Sequence, residues 1–316
     1  MLRKKRHVVY LLLMGLVLFL AYAAYRVYPY IYNQWTDAQL EAAFANSDRE
    51  DITLGYVDGI TRRLRYLQVG ADSTKPLLVF IHGSPSSSAF WIEMMRDSSL
   101  AARANLLAID RPGYGGSGLG KAMISVKEQA ENVVEVIKQR RLGDEQPVVI
   151  HGSSYGGTVS ARIAMDYPAM VDGLLLQSAS MAPEEEYIYW ISQPSTHWSI
   201  RWALPSSIRT ANREKLNHQA QLEDMVDQWE NIDASTVIIH GTDDWLIYPR
   251  NAYFACSRLI NAEEVVHHMV DGGEHDLIYR TPELLKRYLH KLLDDVTGEV
   301  TTEEEIAEDQ ELEVDL

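Results

Sequence analysis

Five short apolar runs constrain this chain more than any other feature. LLVFI at residues 77–81, NLLAI at 105–109, VVI at 148–150, GLLL at 173–176 and TVII at 236–239 are each continuous rather than alternating. A strand with one solvent face alternates apolar and polar residues; a strand covered on both faces does not. Between the runs lie longer amphipathic stretches, such as SVKEQAENVVEVIKQRRLG ending near Gly143 and GGTVSARIAMDYP after Gly156. Strand and helix in alternation predict an α/β fold with a mostly parallel central sheet flanked by helices.

The alternation starts after a segment, ITLGYVDGITRRLRYLQVG, that reads as a β-hairpin turning near Asp58 and Gly59. It stops at Met181 and resumes at STVIIHG. The roughly 55 residues between are too many for a plain connection, and they predict an inserted, mostly helical lid. After Gly241 come a loop, a strand in EVVHHMVDGG, and a final helix from Thr281 to about Asp295. The expected organisation is therefore a core at residues 51–180 and 236–295, a lid at 181–235, a connector at 31–50 and an acidic tail at 296–316.

Charge is unevenly spread. The net charge is −16, but residues 294–316 hold 11 Asp or Glu and no Lys or Arg, so the rest carries −16 + 11 = −5. The body is only mildly acidic, which argues against nucleic-acid binding. The tail is expected to be solvated and disordered. The single cysteine, Cys256, excludes an internal disulfide, and no Cys or His cluster has zinc spacing.

Residues 1–30 carry the localisation signal. MLRKKRH is strongly basic, and the following apolar run has no charge until Arg26. About 20 apolar residues span a bilayer as a helix. The basic cluster predicts a cytoplasmic N-terminus, and Tyr22, Tyr25, Tyr28 and Tyr30 suit the far interface. The expectation is an N-terminal transmembrane helix in a single-pass membrane protein, with the catalytic body outside the cytoplasm. The competing reading is a secreted protein, cleaved after a signal peptide at AYA, residues 21–23.

Gly152-Ser153-Ser154-Tyr155-Gly156 fits G-x-S-x-G between an apolar strand and a helix. In that context the serine hydroxyl projects from a strained strand-to-helix turn, and small flanking residues allow close backbone approach. Ser154 is the candidate nucleophile; Ser153 is its packing or hydrogen-bonding neighbour. A serine hydroxyl needs a base to take its proton, and the base needs a carboxylate to hold its tautomer. HGTDDWLIYP offers Asp243 and Asp244 in a loop after a strand, and VDGGEHDLIYR places His275 in the loop after the last strand. All three positions fall where strands give way to loops, the edge at which open α/β sheets bind ligands.

With these segments in view, the chain resembles the α/β-hydrolase fold superfamily from about Leu77 to Leu293. HGSP at residues 82–85 is similar to its oxyanion-hole loop, DRPGYGGSG at 110–118 to its D-x-P-G-x-G-x-S segment, and GSSYGG to its nucleophile elbow. HGTDDWLIYP resembles the G-x-x-D…P acid loop, which points to Asp244, and GGEH the histidine loop, which points to His275. The resemblance implies a triad of Ser154, Asp244 and His275, with the backbone N–H groups of Ser84 and Tyr155 holding the oxyanion.

The implied function is a serine hydrolase acting through an acyl-enzyme, without metal or organic cofactor, on a small-molecule acyl substrate, an ester before other bonds. Serine at the elbow argues against relatives that open epoxides, which use aspartate there. The competing readings are a proline iminopeptidase-like enzyme using lid carboxylates in PEEEYIYW, a carbon–carbon bond hydrolase, and a non-catalytic membrane-tethered binding protein. Each residue has a plainer competitor. His82 and His151 suit packing at strand ends. Asp110 and Arg111 suit ordering of their own loop. His197 and His218 belong to the lid and are open to substrate contact. Trp190, Trp198 and Trp202 are expected either to line an apolar pocket or to anchor the lid. Oligomeric state is not legible.

Overall fold

A computed structural model describes residues 34–45 and 51–298, together with residues 7, 10–22 and 25. In chain order the elements are α1 (Asp37–Phe44), β1 (Ile52–Asp58), β2 (Arg63–Val69), β3 (Leu77–Ile81), α2 (Ile92–Arg96), α3 (Ser98–Arg103), β4 (Asn105–Ile109), α4 (Val126–Arg140), β5 (Val148–Ser153), α5 (Tyr155–Asp166) and β6 (Gly173–Gln177). They continue with α6 (Trp198–Arg201), α7 (Ser206–Glu223), β7 (Ser235–Gly241), α8 (Arg250–Arg258), β8 (Val265–Val270), α9 (Leu277–Arg280) and α10 (Pro282–Thr297).

The eight strands form one sheet in the order β1-β2-β4-β3-β5-β6-β7-β8. β1 and β2 pair antiparallel as the predicted hairpin, from Ile52 opposite Val69 to Asp58 opposite Arg63. β2 is antiparallel to β4, and every later pairing is parallel. The continuous apolar runs have a direct explanation. In β3, Leu77, Val79 and Ile81 face one core, shared with α4, α5 and α8, while Leu78 and Phe80 face a second, shared with α1, α2 and α10. Successive side chains point to opposite faces, so two buried faces demand an apolar residue at every position.

SAFWIEMMRD, residues 88–97, reads as one helix by its apolar pattern but forms a 3₁₀ turn, Ser88–Trp91, leading into two short helices, α2 and α3. Asp97 breaks the run in an extended conformation, and its side chain accepts from the N–H groups of Ser99 and Leu100 to start α3.

The described part of the predicted connector is bound into the body. α1 starts with a capping box between Thr36 and Gln39 and buries Leu40 and Phe44. Arg65, itself buried, donates to Trp35 O at 2.8 Å and to Asp37 Oδ1 at 2.7 Å. Upstream, residues 10–22 are helical and exposed throughout. Among the described residues no helix is long and apolar enough to cross a membrane. The rest of the predicted 1–30 anchor, and the predicted acidic tail from residue 299, lie outside the described residues.

Residues 181–235 depart between β6 and β7 and contain α6, α7 and short 3₁₀ turns. The face that α7 turns inward comprises Ser207, Thr210, Glu214, His218 and Leu222. That stripe is mostly polar, because it lies over polar side chains at the strand ends.

Candidate active site

β5 ends at Ser153, and α5 begins at Tyr155, so Ser154 alone makes the turn. Its backbone has φ 55° and ψ −125°. That region is strained for a residue with a Cβ, by about 1–3 kcal/mol, and persists only where the surroundings hold it. Ser154 N–H donates to Gln177 O at 2.9 Å, and its carbonyl accepts from Gly157 N–H at 2.9 Å. The neighbouring glycines are required by space. A Cβ on Gly156 would lie 2.2 Å from Ile81 O, and one on Gly152 would lie 2.3 Å from Ser160 Oγ.

Asp244 and His275 meet across the loops after β7 and β8. His275 Nδ1 donates to Asp244 Oδ2 at 2.8 Å, which leaves Nε2 unprotonated in the neutral ring. The other oxygen of Asp244 accepts from the N–H groups of Leu246 and Ile247 at 3.0 and 2.9 Å. Asp244 is buried, and the His275 side chain keeps 21% of its surface exposed. Asp243 is exposed, and its carboxylate accepts from Thr242 Oγ1 at 3.4 Å and makes no hydrogen bond to the imidazole among the described residues. His240 lies 3.5 Å from Asp244 and donates from Nε2 to Ile247 O at 2.9 Å, and burial lowers its pKa. It is therefore a neutral brace for this loop. Among the described residues Ser154 Oγ makes no hydrogen bond to His275.

The loop after β3 brings Gly83 against Ser154: a Cβ on Gly83 would lie 2.9 Å from that of Ser154. The N–H groups of Ser84 and Tyr155 find no protein acceptor among the described residues. Both are therefore available to an oxygen bound beside Ser154. The imidazole of His82 fixes this loop, donating from Nδ1 to Gly83 O and accepting at Nε2 from Arg111 N–H. Burial holds its pKa well below the ordinary value.

Arg111 braces a different loop from the one expected. Its guanidinium reaches His82 O at 2.7 Å and Gly83 O at 3.0 Å, then Gln129 Oε1 and Glu214 Oε1 at 2.6 and 3.0 Å. Asp110 orders the Gly-rich loop instead, through Gly116 N–H at 2.7 Å and Arg65 Nε at 2.7 Å. Glu214 comes from the lid and is fully buried. Its Oε2 accepts from the hydroxyls of Ser84 and Tyr114 at 2.5 and 2.6 Å. NREKLNHQAQ reads as the most helical part of the lid, but Glu214 is one of several charged and polar residues in it and carries no motif of its own. A charge in register with Thr210, His218 and Leu222 at spacings of four was the available signal.

The remaining histidines fall into structural places. His151 packs on Trp91 and donates to Gln177 Oε1 at 3.0 Å, and burial pushes its pKa down to about 3. His218 is buried edge-on against the Tyr155 ring, and burial lowers it to about 4. His197 is exposed and caps α6. The lid tryptophans correct both readings made for them. Trp190, Trp198 and Trp202 are 80%, 73% and 74% exposed, so they do not anchor the lid to the core, and the cavity that Trp202 borders is walled mostly by polar and charged residues rather than apolar ones. Among the described residues no group of three His, Cys, Asp or Glu side chains is gathered as a metal ion needs.

A family model described as alpha/beta hydrolase fold matches residues 76–200. The crystal structure of a membrane phospholipase A superposes with a TM-score of 0.60 at 21% identity, covering 90% of this chain and 98% of that one. Residues 76–200 match the α/β-hydrolase fold family, and the chain has that fold. Epoxide hydrolase 1 of Caenorhabditis elegans is 35% identical over 115 residues, which cover 36% of this hydrolase-fold chain and only 27% of that protein. Proline iminopeptidase PfmaB of Pestalotiopsis fici is 21% identical over 266 residues, 69% of this chain and 94% of that one.

Proposed function

We propose that this chain is a membrane-tethered serine hydrolase that cleaves carboxylic esters. Ser154 attacks the carbonyl carbon while His275 Nε2 takes its proton. Asp244 holds the imidazole in that tautomer and stabilises its charged form. The N–H groups of Ser84 and Tyr155 receive the oxyanion, each worth about 2.7–4 kcal/mol to the transition state. His275 then returns the proton to the leaving alcohol, and water releases the acyl group. The observation that carries this reading is the 2.8 Å Asp244–His275 pair at the same sheet edge as a serine held at φ 55°.

The similarity to an epoxide hydrolase does not extend the reading to epoxides, because serine rather than aspartate stands at the elbow. An aminopeptidase needs a free carboxylate for the substrate's amino group. The two buried lid carboxylates are already paired, Glu186 with Lys215 and Glu214 with Arg111. The tether is residues 1–30, whose basic start and uncharged apolar run favour insertion with the body outside the cytoplasm.

A fluorophosphonate probe tests the chemistry. The full-length protein should be labelled at Ser154, and Ser154→Ala should lose both labelling and hydrolysis of p-nitrophenyl esters. Absence of labelling in folded protein, or full activity in the variant, overturns the assignment.

A further inference from the structure

Three of the seven tryptophans lie on the outer face of the lid. Trp190, Trp198 and Trp202 stand in the open, whereas Trp91 and Trp229 are 0% and 1% exposed. Beside Trp202 lies a cavity of about 580 Å³ bounded by Arg201, Arg209, Arg213, Leu204 and Asn212. No carboxylate lines it, and among the described residues none of these three arginines is in an ion pair. Arg209 donates to Ser206 Oγ at 3.0 Å and to Arg201 O at 3.4 Å, but three guanidiniums around one cavity with no carboxylate partner mark a site for an anion.

The path of the chain indicates where the anion comes from. Gln34 donates to Ser86 O at 2.6 Å and accepts from Gly115 N–H at 2.8 Å. Ser86 follows the proposed oxyanion loop, and Gly115 belongs to the loop whose Gly120 borders the arginine cavity. The segment after the apolar run is thus fastened at the edge of the sheet that carries the site and the lid. The eight steps of chain from Arg26 to Gln34 reach at most about 29 Å. The body, with a radius of gyration near 18 Å, is roughly 45 Å across. So short a lead cannot carry the apolar run round to the opposite face.

We propose that the outer face of the lid docks on an anionic lipid surface, with Arg201, Arg209 and Arg213 receiving a phosphate headgroup and Trp190, Trp198 and Trp202 entering the interface. Tryptophan suits that boundary because its ring is apolar and its N–H is polar. Docking there turns the cleft at Ser154 toward the bilayer, so the substrate class is an amphiphilic ester drawn from the membrane. This inference rests on the tethering proposed above.

The test uses the full chain in nanodiscs of phosphatidylcholine, with or without phosphatidylglycerol, carrying bromine on the upper acyl chains. Bromine should quench tryptophan emission more strongly on the anionic discs. Trp190→Phe/Trp198→Phe/Trp202→Phe should lose most of that quenching while remaining in the discs. Arg201→Gln/Arg209→Gln/Arg213→Gln should fall to the level seen on neutral discs. Quenching of the parent no greater than that of the tryptophan variant overturns docking, including the outcome in which the face binds a protein instead. A chain that elutes free of the discs overturns the tether and the docking together. Neither result bears on Ser154, which the fluorophosphonate reads separately.

Discussion

Ser84 Oγ donates to Glu214 Oε2 at 2.5 Å, so a carboxylate of the lid touches the loop that carries one proposed oxyanion donor. The same carboxylate holds Arg111 at 3.0 Å, and Arg111 in turn holds the carbonyls of His82 and Gly83. Lid and oxyanion loop are thereby one polar unit with no exposed charge. Removing one partner strands the other in a dry interior. Glu214→Ala should therefore cost about 3–5 kcal/mol of stability. Urea unfolding checks this, and a loss under 1 kcal/mol, roughly a surface-pair value, contradicts it.

The Asp244–His275 pair separates two adjacent acids. Asp244→Asn should reduce kcat on a p-nitrophenyl ester by about 10⁴-fold, because the amide favours the wrong imidazole tautomer. Asp243→Asn should stay near the parent rate. The reverse ranking in well-folded proteins would reassign the acid.

Acid should destabilise the chain before its carboxylates titrate. Burial holds His218 at about 4 and His151 at about 3, whereas each takes a proton near 6.5 when unfolded. The unfolded state binds more protons below that pH, so each neutral ring contributes stability above it that is lost as pH falls. The loss approaches about 3 kcal/mol per ring by pH 4. Unfolding midpoints measured from pH 7.5 downward should fall, and the fall should be shallower in His151→Leu. An unchanged slope in that variant refutes the contribution of His151.

Gly156→Ala tests the elbow by volume alone. The added methyl would lie 2.2 Å from Ile81 O and 2.5 Å from His82 O, both backbone atoms of β3 and its loop. The strand cannot yield without breaking its ladder, so thermal unfolding should show a loss of at least about 1–3 kcal/mol. A melting temperature equal to the parent's would mean the strand end is softer than its packing indicates.

The sequence by itself determined the sheet, the hairpin, the elbow and the interruption after Met181. Burial on both faces, tight turns and strand-to-helix switches each leave a local signature, and local signatures survive in a linear string. The triad candidates were legible for the same reason: each stands at a strand end marked by glycine. The choice between Asp243 and Asp244 rested on resemblance alone until the fold aimed one carboxylate at His275 and the other at solvent. Tertiary structure alone decided the places of Glu214, Arg111 and Gln34. Their partners lie 103 residues away for Arg111 and Glu214, 130 for Ser84 and Glu214, and 81 for Gln34 and Gly115. It also decided that the lid tryptophans face outward. A hydrophobic pattern assigns apolar residues inward, but α7 covers polar strand ends, so the stripe it buries is polar and the aromatic residues beside it are left to solvent or to a surface of their own kind.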